Sequence, residues 1–178
     1  MNSYRLEEIN QFSLDTFTEV FGGVAEHSPW VCVVAYREAP FASRDGLIQS
    51  FADVLLAAGS DAQLALIRAH PDLAGKAARA GQMEASSVNE QAGVGLDQLT
   101  DVEYAQFTEF NNAYKSFYGF PFIFAVKGAT KHQILEAFQI RLKNSADEEF
   151  AEALRQICRI FRFRLEDLVV EEIAAFEP

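Results

Sequence analysis

The sequence predicts an all-α fold: a single-domain bundle of about seven to nine helices with one extended apolar connector near 120 to 126. Three observations carry this. Apolar residues recur at helical spacing along most of the chain, and Ser/Thr-x-x-Glu/Gln capping boxes precede several of those stretches. The one strand-like run, 120 to 126, contains Pro121 and has no second convincing strand to pair with.

Taken in order, Leu14, Phe17, Val20, Phe21 and Val24 share one face of a first helix, with Ser13 placed as its N-cap. Pro29 suits the first turn of a second helix over 30 to 36, and Pro40 follows its end. Leu47, Ile48, Phe51, Val54, Leu55 and Ala58 form a third stripe, closed by Gly59. A fourth helix starts at Ser60 and stops near His70, because the residue before a proline is pushed out of the α region. The Ala/Gly-rich stretch 72 to 86 has little periodicity and reads as a loop or a short broken helix.

Ser87 with Glu90, Thr100 with Glu103, Thr130 with Gln133, and Ser145 with Glu148 mark four further helix starts as capping boxes. The helix from Asp101 carries Tyr104, Phe107, Phe110, Asn111, Tyr114 and Phe117 and ends at Gly119. After the connector come two last helices, about 131 to 143 and 146 to 170. Repeats, linkers and low-complexity segments are absent from the sequence, so one domain spans 1 to 178.

A chain of 178 residues with 49% hydrophobic residues and 16 Phe can bury a sizeable core without disulfides or metal. Cys32 and Cys158 lie in apolar helical stretches, where free buried thiols are expected, and a reducing cytoplasm fits. The N-terminal residues lack a secretory pattern, the C-terminal tripeptide is not peroxisomal, and the longest apolar runs fall far short of a membrane span. A net charge of -11 argues against nucleic acid as a partner and requires that any anionic ligand be attracted by local cations or backbone N–H groups. His27, His70 and His132 are far apart without metal-ligand spacing, which gives metal chemistry poor support, and neither a glycine-rich nucleotide loop nor a serine nucleophile elbow is present.

Several residues stand out chemically. His70 sits where a helix must end, able to project into a cavity with a pKa suited to acid/base work; the alternative is a histidine that merely answers the helix dipole. Ser87 and Glu90 read equally as a cap, but Glu90 beside Gln91 in a first turn places an acid and an amide where backbone N–H groups favour an anion. On the last helix Arg155, Arg159 and Arg162 gather on one face, while Arg164 falls at the edge of the apolar stripe near Ile157 and Leu168. A partly buried guanidinium there needs an anion, either a ligand or a helix acid. The connector, with Phe122, Ile123, Phe124, Ala125 and Val126, is either plain core or a wall whose unpaired N–H groups hold a flat polar ligand.

Together, HPDLAGKAA (70 to 78), SVNEQAGVGL (87 to 96), FNNAYKSFYGFPFIFAVKG (110 to 128), RLKN (141 to 144) and FRL (163 to 165) resemble the 2-oxo-4-hydroxy-4-carboxy-5-ureidoimidazoline (OHCU) decarboxylase family. Tyr118 stands where a phenylalanine is more usual. The resemblance implies an all-α, cofactor-free carboxy-lyase of urate breakdown, often dimeric, that forms (S)-allantoin and CO2. It implies His70 and Glu90 as the catalytic pair, Arg164 as substrate-binding arginine, Ser87 and Gln91 as polar contacts, and Pro71 with the backbone of Phe122, Ile123, Phe124, Ala125 and Val126 as the wall of the pocket. The expected partner is the small ureidoimidazoline substrate and a second copy of the chain. Two other readings remain open from the residues alone: a lyase or hydrolase acting on another ureido acid, and a non-catalytic helical module whose aromatic groove binds a partner.

Overall fold

The computed structural model describes residues 3–75 and 85–170. Among them, nine α-helices form: α1 (Leu6–Ile9), α2 (Leu14–Phe21), α3 (Trp30–Ala35), α4 (Arg44–Ala57), α5 (Ser60–Ala69), α6 (Ala85–Gly93), α7 (Asp101–Tyr118), α8 (Lys131–Arg141) and α9 (Ala146–Leu168). The fold is all-α, and the described residues contain no strand, only one isolated bridge between Tyr4 and Val169. That bridge ties the start of the chain to the end of α9, with Tyr4 N–H donating to Leu168 O at 2.8 Å and Val170 N–H donating to Tyr4 O at 2.9 Å.

Local chemistry fixes most helix ends. Ser13, Thr100, Thr130 and Ser145 accept from the backbone of the first turn, and the last three complete reciprocal boxes with Glu103, Gln133 and Glu148. Gly119 closes α7 at φ 77, a left-handed conformation that glycine adopts without strain. Gly59 behaves otherwise than expected: α4 stops at Ala57, and Gly59, at φ -64 and ψ 152, is the N-cap of α5. The last two helices end slightly early, α8 at Arg141 and α9 at Leu168, where Val169 leaves the helix to pair with Tyr4. The four-residue α1 carries too little periodicity to be visible in the sequence. The expected loop 72 to 86 lies partly outside the described residues, and its end belongs to α6, which begins at Ala85.

The core is built around α9, whose row Ala153, Leu154, Ile157, Phe161 and Leu165 is buried against α4 and α5. Phe17, Phe21, Phe51 and Phe161 bring their rings together on one side, and Phe107, Tyr114, Phe122 and Phe138 on the other. Cys32 is buried and free, and burial pushes its thiol up to about 12.

The connector after Gly119 is neither helix nor strand and is pinned from three sides. Arg141 Nη1 donates to Ile123 O at 2.6 Å, Ala125 N–H donates to Gln156 Oε1 at 2.9 Å, and the Phe122 ring stacks on Phe138 at 3.7 Å. Arg141 is itself held by Glu149, which is fully buried and also accepts from Tyr114 and Asn144. Tyr118 OH lies 2.7 Å from Arg141 O and 2.8 Å from Asn144 O, which gives the hydroxyl a structural use that a phenylalanine would lack.

Candidate active site

Pro71 ends α5 as expected. His70 is the C-cap at φ -73 and ψ 139, so its ring leaves the helix axis while its N–H still reaches Ile67 O. The chain then turns sharply, with Ala74 at φ 55 and Gly75 so close that a Cβ there would lie 2.8 Å from Asp72 Cβ. A left-handed alanine is strained and persists only when its surroundings hold it. Here Ala74 N–H donates to Gln91 Oε1 at 2.9 Å, Asn111 Nδ2 donates to Leu73 O at 2.8 Å, and Lys115 pairs with Asp72 at 2.6 Å. Helices α6 and α7 thus lock the turn that aims His70.

The electrostatics of His70 follow from this placement. Burial pushes its pKa down from 6.5 to about 4, with the Leu66 carbonyl and Glu26 opposing the shift. The ring is therefore neutral near pH 7. Its Nδ1 lies 3.0 Å from Leu66 O, and since a carbonyl only accepts, Nδ1 carries the proton. Nε2 is left as an unprotonated lone pair, buried and without a hydrogen-bond partner among the described residues.

Facing it is a network centred on Arg164, which is 5% exposed. Its Nε and Nη2 donate to Glu90 Oε1 and Oε2 at 2.7 and 2.9 Å, a two-pronged pair. Nη2 also donates to Ser87 Oγ at 2.9 Å, and Nη1 reaches Glu26 Oε2 and Val24 O, both at 3.2 Å. Ser87 Oγ donates in turn to Glu26 Oε2 at 2.6 Å. Burial disfavours the guanidinium's charge, but Glu90 and Glu26 outweigh it and raise the pKa above its ordinary value.

Two expectations need correction. Ser87 does not cap a helix with Glu90: α6 begins two residues earlier, so Ser87 lies inside it, and its hydroxyl is committed to Glu26 and Arg164. For the same reason Glu90 and Gln91 sit beyond the first turn, and the helix N-terminus is not their anion site. The acid partners foreseen for Arg164 are Glu90 and Glu26.

His70, Pro71, Ser87, Glu90, Gln91, Phe122, Ile123, Phe124, Val126 and Arg164 line one narrow cavity, together with Leu73 and Ile160. Ala125 does not line it, because its N–H turns away to Gln156. Among the described residues no acceptor meets the N–H groups of Ile123, Phe124 or Val126. A flat polar molecule against this wall would find both donors and aromatic surface. No group of three or more His, Cys, Asp or Glu among the described residues is placed to hold a metal ion. A second, more open groove between α3 and α4, lined by Trp30, Val34, Phe41 and Val54, contains none of these residues.

Sequence reasoning missed Glu26, Gln156, Arg141 and Glu149. Glu26 gave one signal, an acid directly after the apolar Val24-Ala25. Glu149, Gln156 and Arg164 gave another, being spaced seven and eight residues apart, two helical turns each, so that they share a buried face of α9.

Comparisons with known proteins identify the family. The family model described as OHCU decarboxylase matches residues 10–166. A 2-oxo-4-hydroxy-4-carboxy-5-ureidoimidazoline decarboxylase of Halalkalicoccus jeotgali is 39% identical over 170 residues, which is 96% of this chain and 94% of that protein. The uric acid degradation bifunctional protein PucL of Bacillus subtilis is 38% identical over 169 residues, 95% of this chain but 33% of the longer protein. Among solved structures, (S)-allantoin synthase matches with TM-score 0.75 and 28% identity, covering 93% of this chain and 54% of that one. With the family model spanning most of the chain and a full-length relative at 39% identity, this chain belongs to the OHCU decarboxylase family.

Proposed function

We propose that this chain decarboxylates 2-oxo-4-hydroxy-4-carboxy-5-ureidoimidazoline to (S)-allantoin and CO2 without a cofactor, as a step of urate catabolism. The observation that carries the reading is the unprotonated Nε2 of His70, which has no hydrogen-bond partner among the described residues, held in one cavity with Glu90, Arg164 and the connector residues Ile123, Phe124 and Val126.

The substrate has a carboxylate on a ring carbon that also bears a hydroxyl and adjoins a C=N bond. When the bond to CO2 breaks, its electron pair can move into the C=N system, so the substrate is its own electron sink. The protein's tasks are orientation, charge placement and proton handling. His70 Nε2 accepts the hydroxyl proton, Arg164 with Glu90 governs the carboxylate and the ring-nitrogen proton, and Ser87 and Gln91 supply polar contacts through the groups they hold. The wall of Pro71, Phe122, Ile123, Phe124 and Val126 fixes the ring plane, with Ala125 anchoring it from behind. Reprotonation from one face sets the (S) product. The chain acts in the cytoplasm as a homodimer, which light scattering tests.

The activity test supplies freshly made urate-oxidation product and follows CO2 release and optical rotation. The expected result is fast formation of (S)-allantoin, and racemic allantoin at the spontaneous rate overturns the proposal. His70→Ala and Glu90→Ala are each expected to cost at least ~100-fold in rate, as for acid/base groups in the transition state.

A further inference from the structure

The network around Arg164 contains one acid that lies outside the cavity lining. Glu26 is 0% exposed and follows the short 3-10 segment Gly22–Val24. Its Oε2 accepts from two groups on two different helices, Ser87 Oγ of α6 at 2.6 Å and Arg164 Nη1 of α9 at 3.2 Å. The same Nη1 lies 3.2 Å from Val24 O and 3.4 Å from Gly23 O. One edge of the guanidinium is thus seated in the turn 22–26, and the opposite edge, Nε with Nη2, is presented to Glu90 at the cavity.

The backbone here is held at a cost. His27, the residue after Glu26, has φ 45, which a side chain other than glycine's adopts under strain, and Ser28 N–H closes the turn on Ala25 O at 3.0 Å. Burying a carboxylate also opposes folding unless strong partners answer it. Both costs fall on the segment that seats Arg164. An arginine side chain left to itself samples many rotamers, while a catalytic constellation must hold its geometry to about 0.5 Å.

We propose that Glu26 is a positioning residue of this site: its carboxylate clamps Arg164 and Ser87 so that the Nε/Nη2 edge of the guanidinium is fixed toward Glu90 and the substrate. The proposal rests on the reading of His70, Glu90 and Arg164 as the reacting site. Glu26 touches no reacting atom and acts through Arg164. Ser87 serves as the bridge, since its hydrogen goes to Glu26 while its oxygen takes Arg164 Nη2.

The test measures kcat, KM and melting temperature for E26Q, R164K, E90Q and the double variant E26Q/R164K. E26Q keeps the shape but loses the charge of a charge-assisted contact, so kcat/KM is expected to fall about 10- to 100-fold. Because Glu26 works through Arg164, the double variant is expected to be scarcely worse than R164K alone. Wild-type kinetics in folded E26Q, with R164K and E90Q impaired, overturns this proposal alone. An E26Q loss that multiplies fully with that of R164K also overturns it, because Glu26 then acts elsewhere. Wild-type kinetics in R164K and E90Q overturns the site reading and the positioning role with it. If E26Q does not fold, E26D, which keeps the charge but withdraws it by about 1.5 Å, is judged by the same outcomes.

Discussion

Replacing His70 by glutamine removes a titration that unfolding curves can detect. In the unfolded chain the imidazole binds a proton near 6.5, whereas in the folded protein burial lowers this to about 4. Between those values the unfolded state binds more protons, so stability falls as pH falls. The contribution is fully present above about 6.5, declines as the pH drops through that window, and is exhausted below about 4. At roughly 1.4 kcal/mol per tenfold change in proton affinity, it amounts to about 3 kcal/mol, of which about 2 kcal/mol is lost by pH 5. The assay is urea unfolding followed by the fluorescence of Trp30 at pH 7.5 and pH 5.0, for the native chain and H70Q. Other groups titrate alike in both proteins and cancel in the comparison. The native chain is expected to lose about 2 kcal/mol more than H70Q between the two pH values. Equal losses would refute the burial of a neutral ring. The same reasoning gives a kinetic corollary: activity that needs neutral His70 persists on the acid side of 6.5 instead of halving there.

The polar row on α9 supplies two further tests. E149Q removes the charge that holds Arg141, leaving a guanidinium that is 7% exposed without its buried partner, and a loss of about 3 to 5 kcal/mol is expected in urea unfolding. Q156L leaves the Ala125 N–H with no acceptor, so about 1 to 3 kcal/mol of stability is expected to go. The connector then loosens, and KM is expected to rise in Q156L more than kcat falls.

The sequence carries local signals well and long-range partnerships poorly, and the four Ser/Thr-x-x-Glu/Gln patterns show why. Thr100, Thr130 and Ser145 bond within their own first turns, so the pattern and the outcome belong to the same few residues. Ser87 has the identical pattern, yet Glu26, sixty-one residues earlier, and Arg164, on the last helix, take its hydroxyl instead. A capping box contributes about 1 kcal/mol, whereas a buried acid and guanidinium left short of partners cost several. The larger demand wins, and it is invisible in a local window. Arg164 was legible because its angle on α9 departs from that of its three exposed neighbours, Arg155, Arg159 and Arg162. Glu149 and Gln156 lie on the same buried face as Arg164. Each secures a different part of the site: Glu149 holds Arg141 and so the Ile123 carbonyl, Gln156 holds the connector's Ala125, and Arg164 holds α6.

Charge poses the remaining question of how a chain of net charge -11 captures an anion. Among the described residues lining the cavity, Arg164 is the cation, and Glu90 and Glu26 already face it, while His70 is neutral. The described residues of the cavity therefore offer little positive field at a distance. Under the proposed function, attraction arises at contact: a substrate carboxylate competes with Glu90 for the Nε/Nη2 edge of Arg164, and the N–H groups of Phe124 and Val126 offer donors. Contact interactions of buried groups are screened little by salt, whereas repulsion between the whole protein and an incoming anion is screened strongly. Raising sodium chloride from about 10 mM to about 150 mM shortens the Debye length from about 30 Å to about 8 Å. Over that range kcat/KM is expected to rise or stay level, the reverse of electrostatic steering. A steep fall in kcat/KM with salt would mean that an attractive field guides the substrate, and would contradict capture by contact.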